Sequence, residues 1–417
     1  MVDGQAMQPE PEGQERKSGQ ARKPLRIAAE TRAFTALLGL FAALPALSID
    51  ISAPTLALLP RALGTSRIVA GLTLSLFMVG FAAGQWSGGR LSDRLGRRKV
   101  LLAALGCFTL ASIACTASTS GAALVAARLV QGIGAGACSV QSFAIVQDLF
   151  EGDAARTKRS YVAVVFGAVP ILAPALGALL IDLAGWRAVH AVLALGGALL
   201  LAVTWLGVSE SRRIGRADQA PAPARFAARL LGDSRFVGIT LANALSYGGI
   251  FAYIAGSPVV IIARMKLPAL VFAAIFAATA IALTAGAWTS GRLSRRGFAA
   301  SALLDSSLGA AAVAALALAA SSLAGITSGA VLLPLLLVVL FTRGVIAPNL
   351  QHLAIERWQD QAGTASATLG VSQLVSGALA SALVAVLLRN LGASAVAIPM
   401  ALLAASALVV WRWARPP

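Results

Sequence analysis

Charged residues are scarce in this chain. Only 12% of its 417 residues are Asp, Glu, Lys or Arg, while 58% are hydrophobic. A soluble domain carries about 25% charged residues, so most of the surface of this chain must face a medium other than water. Apolar runs recur along nearly the whole length, and many are as long as the roughly 20 residues that cross a bilayer. The composition predicts a polytopic membrane protein.

Cysteine and histidine are nearly missing, which bears on metal sites and enzymes. The three cysteines (Cys107, Cys115 and Cys138) lie inside apolar runs without CxxC spacing, so we expect neither a disulfide framework nor a metal site. The histidines are His190, expected at the outer face of the membrane, and His352, and no HExxH pattern occurs. A phosphate-binding GxxxxGKS or GxxxxGKT loop is also missing from the sequence. We therefore expect no enzyme and no cofactor.

The formal charge of +17 raises the question of a nucleic-acid partner. Lys and Arg do not form a patch with interleaved aromatics, which is the usual mark of such a surface. They stand in short clusters between apolar runs, at 90–99, 156–159, 212–235 and 292–296. We expect no nucleic-acid partner, and we interpret the positive charge as a determinant of membrane topology.

Twelve apolar spans follow from marking runs that are bounded by charges, Gly or Pro. Because every backbone group must be satisfied within lipid, and the spans lack the alternating period of a barrel strand, we expect helices. The predicted spans are 33–57, 66–88, 100–118, 121–147, 161–184, 187–208, 236–262, 267–290, 299–321, 325–350, 361–388 and 391–411.

The positive-inside rule gives the orientation. With a cytosolic N-terminus, most Lys and Arg fall on the cytosolic side. Arg61, Arg67, Arg187, Arg264, Lys266 and Arg389 fall outside, and Arg128 and Arg343 lie within spans. Both termini are then cytosolic. Residues 1–32, rich in Gln, Pro, Gly and charge without an apolar core, are expected to be a disordered cytosolic tail, and 412–417 a second tail.

The segment 209–235 is the longest internal polar stretch and predicts a cytosolic linker between two halves, 33–208 and 236–411. An echo supports this division: GRLSDR at 89–94 follows span 2, and GRLSRR at 291–296 follows span 8. Equivalent loops at equivalent places indicate duplication. We predict an all-α membrane protein with twelve transmembrane helices in two six-helix pseudo-repeat halves around a central cavity.

The loop GRLSDRLGRRKV at 89–100 resembles the signature loop of the major facilitator superfamily, with matching residues at Gly89, Asp93, Arg94, Gly96, Arg97 and Arg98. A plain basic loop that retains topology is the alternative, but it needs neither the Asp nor the paired glycines. Asp93 can sit against a helix N-terminus. We further expect Asp93, Arg97 and Asp148 to form a charge cluster that closes the cytosolic side when the carrier faces outward.

Span 4 carries Arg128, Gln131 and a GxGxG string at 132–136. The string lies inside an apolar helix and does not follow a strand, so it is no dinucleotide loop, and its glycines favour close helix packing. Helix packing does not explain Arg128, because a charge within a membrane span costs on the order of 2.5–3.5 kcal/mol. The arrangement is similar to the superfamily's span 4 motif, and the resemblance implies that Arg128 takes part in proton transfer.

Span 5 contains Pro170, Pro174 and Gly177, which by themselves predict a kinked helix. The pattern resembles the antiporter motif found in exporters of the superfamily. Three positions depart from it: Ala173 and Ala178 replace glycines, and Val169 replaces a small residue.

Similarity to the bicyclomycin and chloramphenicol resistance group, the Bcr/CflA-type drug:proton antiporters, extends over nearly the whole chain. It is carried by Asp50 four residues before Pro54, and by 80–85, 251–258 and 362–367. Ser52 stands where the group usually has an aromatic residue, and Arg90 where it usually has a proline. We expect these departures to affect which drugs the chain accepts. Gln85, Tyr253 and Asn349 are candidates for lining the cavity.

Asp50 is the predicted proton-coupling carboxylate. It lies some 16 residues into span 1, about 24 Å along the helix at roughly 1.5 Å per residue. Burial favours the neutral form of a carboxyl group, and a nearby cation such as Arg128 opposes that effect. If span 1 ends earlier, Asp50 lies in the wet outer mouth. Asp305 in span 9 is the rival carboxylate, although its closeness to Arg296 allows it to reach cytosolic water.

The resemblance thus implies a proton-coupled exporter of drugs and other small amphipathic molecules, working by alternating access as a monomer in the inner membrane of a bacterium, and contributing to antibiotic resistance. The alternative is an importer or facilitator of a metabolite, which paired arginines facing one cavity would favour.

Overall fold

The computed structural model describes residues 27–211, 229–356, 358 and 362–415. Within these residues, twelve helices are long and apolar enough to cross a membrane, in agreement with the sequence. Most of the predicted tail and the linker positions Arg212, Arg213 and Arg216 lie outside the described residues. Part of the predicted tail is packed against the first half, because the Lys158 ammonium donates to the carbonyl oxygens of Ala29 and Glu30.

We number the membrane helices α1 to α12, so that each carries the number of its predicted span. Six form the first half and six the second. Their bounds are α1 Arg32–Asp50, α2 Arg67–Leu95, α3 Arg97–Ala117, α4 Gly121–Leu149, α5 Gly152–Ala184, α6 Trp186–Gly207, α7 Ser234–Pro258, α8 Ala269–Arg295, α9 Ala300–Leu323, α10 Gly329–Glu356, α11 Ala362–Leu387 and α12 Ser394–Ala414.

Several helices extend beyond their predicted spans into polar sequence. Helix α2 continues through most of the predicted loop to Leu95, where Gly96 at φ 98° ends it, and α3 begins at once at Arg97. A positive φ of this kind is open to glycine at little cost. Helix α5 begins at Gly152, well before the predicted residue 161, and α12 runs to Ala414, into the predicted tail. Charged residues end the hydrocarbon-facing part of a helix without ending the helix itself.

Each half contains a close helix crossing built on glycine. In the first half, a Cβ on Gly80 of α2 would collide with the carbonyl oxygen of Leu129, and one on Gly132 of α4 with that of Phe77. In the second half, Gly286 of α8 and Gly344 of α10 meet backbone carbonyls in the same reciprocal way. The two crossings are equivalent features of the pseudo-repeat halves, and both depend on backbone approach that side chains would prevent.

The two halves meet along two helix pairs, α2 with α11 and α5 with α8. We call the end of the bundle that holds residues 89–100 the basic end, and the other the opposite end. At the opposite end, the 3₁₀ turn Ala53–Ala57 after α1 packs against α7 and against the π-helical turn Val259–Arg264 that follows it. The space between the halves is therefore covered at the opposite end.

Candidate functional site

A cavity of about 160 Å³ lies between the two halves, near the middle of the bundle. Helices α1, α2 and α5 contribute one wall, and α7, α8 and α10 the other. Among the described residues that line it, Asp50 is the one charged group, and the rest are mainly apolar and aromatic. The lining residues are Pro45, Ala46, Ile49, Asp50, Phe81, Phe166, Pro170, Tyr247, Ile250, Phe251, Tyr253, Ile254, Phe276, Thr279, Ala280, Leu283 and Leu340.

Asp50 is the last residue of α1. Pro54 has no N–H to donate to the carbonyl of residue 50, so the helical ladder stops there, and the chain continues as the 3₁₀ turn 53–57. The Asp50 side chain is 5% exposed and makes no hydrogen bond or ion pair with any other residue that the structure describes. An unpartnered carboxylate thus faces the cavity at a helix break, deep in the bundle and away from a wet outer mouth.

Arg128 of α4 lies behind this break and not in the cavity wall. Its guanidinium donates to the carbonyl oxygen of Ser48 at 3.3 Å, to the Ser52 hydroxyl at 3.2 Å and to the Gln131 side-chain oxygen at 2.7 Å. The same group stands 4.3 Å from the centre of the Phe77 ring. Ser48 and Ser52 flank Asp50, yet Arg128 forms no ion pair with it. Arg128 is therefore a nearby cation that holds the chain on both sides of Asp50, and we call this set of hydrogen bonds the clamp.

The clamp extends to further helices. Gln131 donates to the Ser112 hydroxyl of α3 at 2.8 Å, which ties α1, α4 and α3 together. Helix α5 presses on the break from the other side, where Gly177 lets its backbone approach the carbonyl oxygen of Ile51. Pro170 of α5 lines the cavity, and α5 runs unbroken past Pro170 and Pro174. The predicted span 4 and span 5 motifs thus converge on the segment that carries Asp50.

A charge cluster forms at the basic end around Arg97. Its guanidinium contacts the Asp93 carboxylate at 2.7 Å and the Asp148 carboxylate at 2.9 Å, and it donates to the Ser92 hydroxyl at 2.6 Å. These residues join α2, α3 and α4 of the first half. The predicted contacts are present, and in this structure they connect helices within one half.

Glu210, which the sequence analysis did not single out, caps the N-terminus of α3. Its carboxylate accepts from the backbone N–H of Arg97 at 2.7 Å and of Arg98 at 3.2 Å. The Arg98 side chain donates to the carbonyl oxygens of Val208 and Trp205 at the end of α6. The helix N-terminus that we expected Asp93 to occupy is therefore held by Glu210. More than 100 residues separate the partners, so no local spacing could have indicated the contact.

Comparison with known proteins identifies the family. A family model described as Major Facilitator Superfamily matches residues 36–381, most of the chain. The chain belongs to the Major Facilitator Superfamily. An "Uncharacterized MFS-type transporter YdgK" of Bacillus subtilis is 31% identical over 361 residues, which cover 86% of this chain and 89% of that protein.

Other superfamily relatives confirm the resemblance to the bicyclomycin and chloramphenicol resistance group. A "Chloramphenicol resistance protein" of Pseudomonas aeruginosa is 34% identical over 251 residues, 59% of this chain and 58% of that protein. A "Bicyclomycin resistance protein homolog" of Haemophilus influenzae is 28% identical over 56% of this chain and 60% of its own. The matched stretches thus span little more than half of these named relatives.

Solved structures of superfamily transporters share the fold. A crystal structure of a D-xylose-proton symporter has a TM-score of 0.72 at 18% identity, covering 91% of this chain and 97% of that one. A bacterial homologue of the human lysosomal transporter Spinster, inward-facing and unoccupied, has a TM-score of 0.71 at 15% identity, covering 92% and 95%. At such identities the likeness concerns the fold alone.

Three sequence predictions require correction. Tyr253 lines the cavity as expected, but Gln85 and Asn349 are not among its lining residues. Gln85 donates to the Ser139 hydroxyl, and Asn349 to the Ser290 hydroxyl, so each amide is used between neighbouring helices. His190, expected at the outer face, is 2% exposed and lines a small enclosed cavity with Arg128. A polar residue on an otherwise apolar helix does not reveal from sequence which side it faces.

Asp305 lies at the basic end, apart from the central cavity. The Trp411 indole donates to one of its carboxylate oxygens at 2.8 Å, and Arg415 contacts the other at 3.2 Å. Its side chain is 41% exposed. These contacts attach the end of α12 to the start of α9, so the surroundings of Asp305 differ from those of Asp50 in both partners and solvent.

Proposed function

We propose that this chain is a proton-coupled exporter of small amphipathic molecules that works by alternating access. The observation that carries the proposal is the position of Asp50, a buried and unpartnered carboxylate in the wall of an apolar cavity between the two halves. A carboxylate in such surroundings is costly when charged and far less costly when it carries a proton. Asp50 can therefore exchange a proton for an occupant of the cavity.

The chemistry of the cavity supports an amphipathic substrate. Its walls offer aromatic and aliphatic side chains together with two tyrosines and Thr279. Apolar walls with a few polar groups hold small organic molecules mainly by burial of apolar surface. Relatives that carry the names of chloramphenicol and multidrug resistance proteins agree with export of such compounds.

Proton release follows when a substrate in the cavity competes with the proton on Asp50. A substrate that enters the cavity brings polar or charged groups near the carboxyl group and changes the relative cost of its two forms. Because Asp50 ends α1, and Arg128 and Gly177 hold the backbone on either side, a change in its charge acts on a break shared by α1, α4 and α5. The break is the element through which proton binding would bias the inward- and outward-facing states.

We assign the basic end to the cytosol and both termini with it, on the positive-inside rule. In this assignment the covered opposite end is the periplasmic side, and the cluster of Asp93, Arg97 and Asp148 lies at the cytosolic mouth. We propose that this cluster helps to close the mouth when the carrier faces outward. A metabolite importer would be favoured by paired arginines in the wall, and no arginine is among the described lining residues.

Efflux from everted membrane vesicles tests the proposal. Vesicles that contain the chain should accumulate at least one compound from a panel of neutral, cationic and anionic amphiphiles. A proton ionophore should abolish that accumulation, because the proton gradient supplies the driving force. Vesicles with the Asp50→Asn variant are the matched control. Accumulation that persists with the ionophore, or that matches vesicles lacking the chain, would rule out proton-coupled export.

A further inference from the structure

The second half contains a buried arginine whose surroundings differ from those of Arg128. Arg343 of α10 is 4% exposed, and the one hydrogen bond that its guanidinium makes with the described residues is to the Asn243 side-chain oxygen, at 3.2 Å. Arg128 by comparison has three oxygen acceptors. Neither arginine has a carboxylate within ion-pair distance in the described part of the chain. The Arg343 cation is therefore both uncompensated and sparsely coordinated.

Two further polar groups on α7 lack partners among the residues that the structure describes. The Asn243 amide nitrogen is fully buried and has no hydrogen-bond partner there, and the same holds for the hydroxyl of Thr240 one turn earlier. A buried polar group that lacks a hydrogen-bond partner destabilises the folded state. An unused amide N–H donor, a hydroxyl and a guanidinium thus occupy neighbouring positions on facing surfaces of α7 and α10, which is the donor set that binds an anion.

This donor set lies directly beside the central cavity. The Arg343 guanidinium is 5.8 Å from the centre of the Tyr247 ring, and Tyr247 lines the cavity. Leu340, one turn from Arg343 on α10, lines it too. Tyr247 therefore separates the guanidinium from the cavity, and a rotation of its side chain would open the way between them.

The position of Arg343 is not a repeat of Arg128. Arg343 directly precedes the crossing glycine Gly344, whereas in the first half Gln131 and Ala135 precede the crossing glycines Gly132 and Gly136. The cation thus stands at a kind of position that is uncharged in the first half. Arg128 has Gln131 as an acceptor on its own helix, and Arg343 makes no such hydrogen bond with the described residues of α10.

We propose that Arg343, Asn243 and Thr240 bind the anionic group of an amphipathic molecule in the cavity, with Tyr247 as the movable cover. The ligand class is a singly charged anionic group, either the carboxylate of an organic substrate or a small inorganic anion that accompanies a neutral one. The proposal rests on the proposed export function for its substrate but not for its binding chemistry. It adds molecules with an acidic group to the compounds that the cavity accepts, with Asp50 in one wall and Arg343 behind the other.

Calorimetric titration of the purified full-length chain in lipid nanodiscs tests the site without transport. The probes are 4-phenylbutyrate and its uncharged analogue 4-phenylbutyramide, which share shape and differ in charge. The wild type should bind the carboxylate more tightly than the amide. Arg343→Gln should weaken the binding of 4-phenylbutyrate by about 30-fold, which corresponds to a loss of about 2 kcal/mol in binding free energy. The affinity for 4-phenylbutyramide should stay unchanged. The exposed Arg292→Gln variant is the control and should retain the preference.

A second variant and a titration with inorganic salts complete the test. Asn243→Asp places a carboxylate against Arg343, so it should remove the preference for the anion even if Arg343→Gln does not fold. Titration with sodium chloride, against sodium sulfate at equal ionic strength, distinguishes the two sources. If chloride binds the wild type and competes with 4-phenylbutyrate, the site is one for small anions. If chloride does not compete, the site binds the carboxylate of the substrate.

Equal binding of the two organic probes to the wild type, together with no chloride binding, would overturn the proposal. A preference for the anion that survives in both Arg343→Gln and Asn243→Asp would do so as well. Because these are binding measurements, they stand apart from the vesicle assay. Anion binding without efflux refutes the export function alone, and efflux without anion binding refutes this site alone.

Discussion

Asp50 and Arg128 are both buried in the first half, but they differ in how their charge is accommodated. Removal of an ion from water costs several kcal/mol unless hydrogen bonds or an opposite charge replace its hydration. Arg128 has three oxygen acceptors and an aromatic face, so its burial is well supported. Asp50 has no partner among the described residues. From this contrast we propose a positioning role for Arg128 and a proton-carrying role for Asp50.

Replacement of Arg128 by lysine should show that positioning role. Lysine keeps the positive charge but cannot reach the Ser48 carbonyl, the Ser52 hydroxyl and Gln131 with one planar group. Each lost hydrogen bond to a charged group is worth about 1.5–3 kcal/mol, so Arg128→Lys should lower the unfolding temperature and reduce transport at least about tenfold. Thermal unfolding of the purified variant and vesicle efflux measure both effects.

The control for this prediction is the exposed Arg292→Lys, which should leave both quantities unchanged. A fully active and equally stable Arg128→Lys protein would mean that charge alone matters at this position. The clamp on the α1 break would then have no functional role.

For these residues, the sequence indicated which side chains belong to the site better than it indicated what they contact. Asp50 and Pro54 stand four residues apart, and the missing N–H of proline accounts for a helix end at Asp50. Arg128 lies near Asp50, but its guanidinium reaches backbone and hydroxyl oxygens that flank the carboxylate and does not form an ion pair with it. Residues some 80 positions apart meet through the packing of α4 on α1, and no local pattern encodes which atoms come into reach.

Among the helices, the glycine crossings fix how α2 packs on α4 and α8 on α10. The sequence echo at 89–94 and 291–296 aligns Gly84 with Gly286, and both glycines lie at such a crossing, where a Cβ would meet the carbonyl oxygens of Ile133 and Phe341. The register of the echo thus agrees with that of the crossings.

Substitution of Gly80 by alanine should destabilise the first half. The new Cβ would overlap the Leu129 carbonyl oxygen, so α2 and α4 must move apart, at a cost of about 1–3 kcal/mol. Gly106 in α3 is the matched control, since a Cβ there meets open space and alanine is the better helix former. Thermal unfolding in detergent should show a lower midpoint for Gly80→Ala and an equal or higher one for Gly106→Ala. Equal midpoints for both would refute the close crossing.

Arg97, the first residue of α3, makes two unequal ion pairs. Asp148 is 18% exposed and Asp93 is 58% exposed, so the first pair is shielded and the second is largely in solvent. Exposed pairs contribute about 0–1 kcal/mol, whereas loss of one partner from a buried pair costs about 3–5 kcal/mol. Asp148→Asn should therefore lower the unfolding temperature more than Asp93→Asn.

Asp93→Asn has a different expected effect, which follows from the proposed gate. It should reduce transport while substrate binding stays close to the wild-type value, because it changes the balance between conformations. Calorimetric binding and vesicle efflux on the same variant measure the two properties. Lost binding with an unchanged conformational equilibrium would refute the gate.

For the molecule as a whole, the two halves meet at the opposite end, and the cavity between them has a single carboxylate among its described lining residues. Twelve helices and two halves could be predicted from apolar length and the position of the polar linker. The cavity could not, because its lining comes from six helices whose inward faces depend on tertiary packing. This explains why Tyr253 was predicted correctly while Gln85 and Asn349 were not.

The orientation of the molecule is open to a direct test. In a background that lacks Cys107, Cys115 and Cys138, a single cysteine at Arg216 should react with impermeant thiol reagents from the cytosolic side only. One at Gly185 should react only from outside, because most Lys and Arg lie at the basic end, where α6 ends and α7 begins. Labelling of intact cells and of everted vesicles gives the two accessibilities. The reverse pattern would invert the assignment of both ends.

Asp50 is the residue that we propose to couple proton movement to export. The most direct measurement uses the purified chain in liposomes with an imposed pH gradient, and the compound that everted vesicles accumulate most. Asp50→Asn should abolish uphill accumulation and the accompanying proton flux while it retains downhill exchange, and Asp305→Asn should keep both. Full proton-driven accumulation by Asp50→Asn, with its loss in Asp305→Asn, would contradict the account and assign coupling to Asp305.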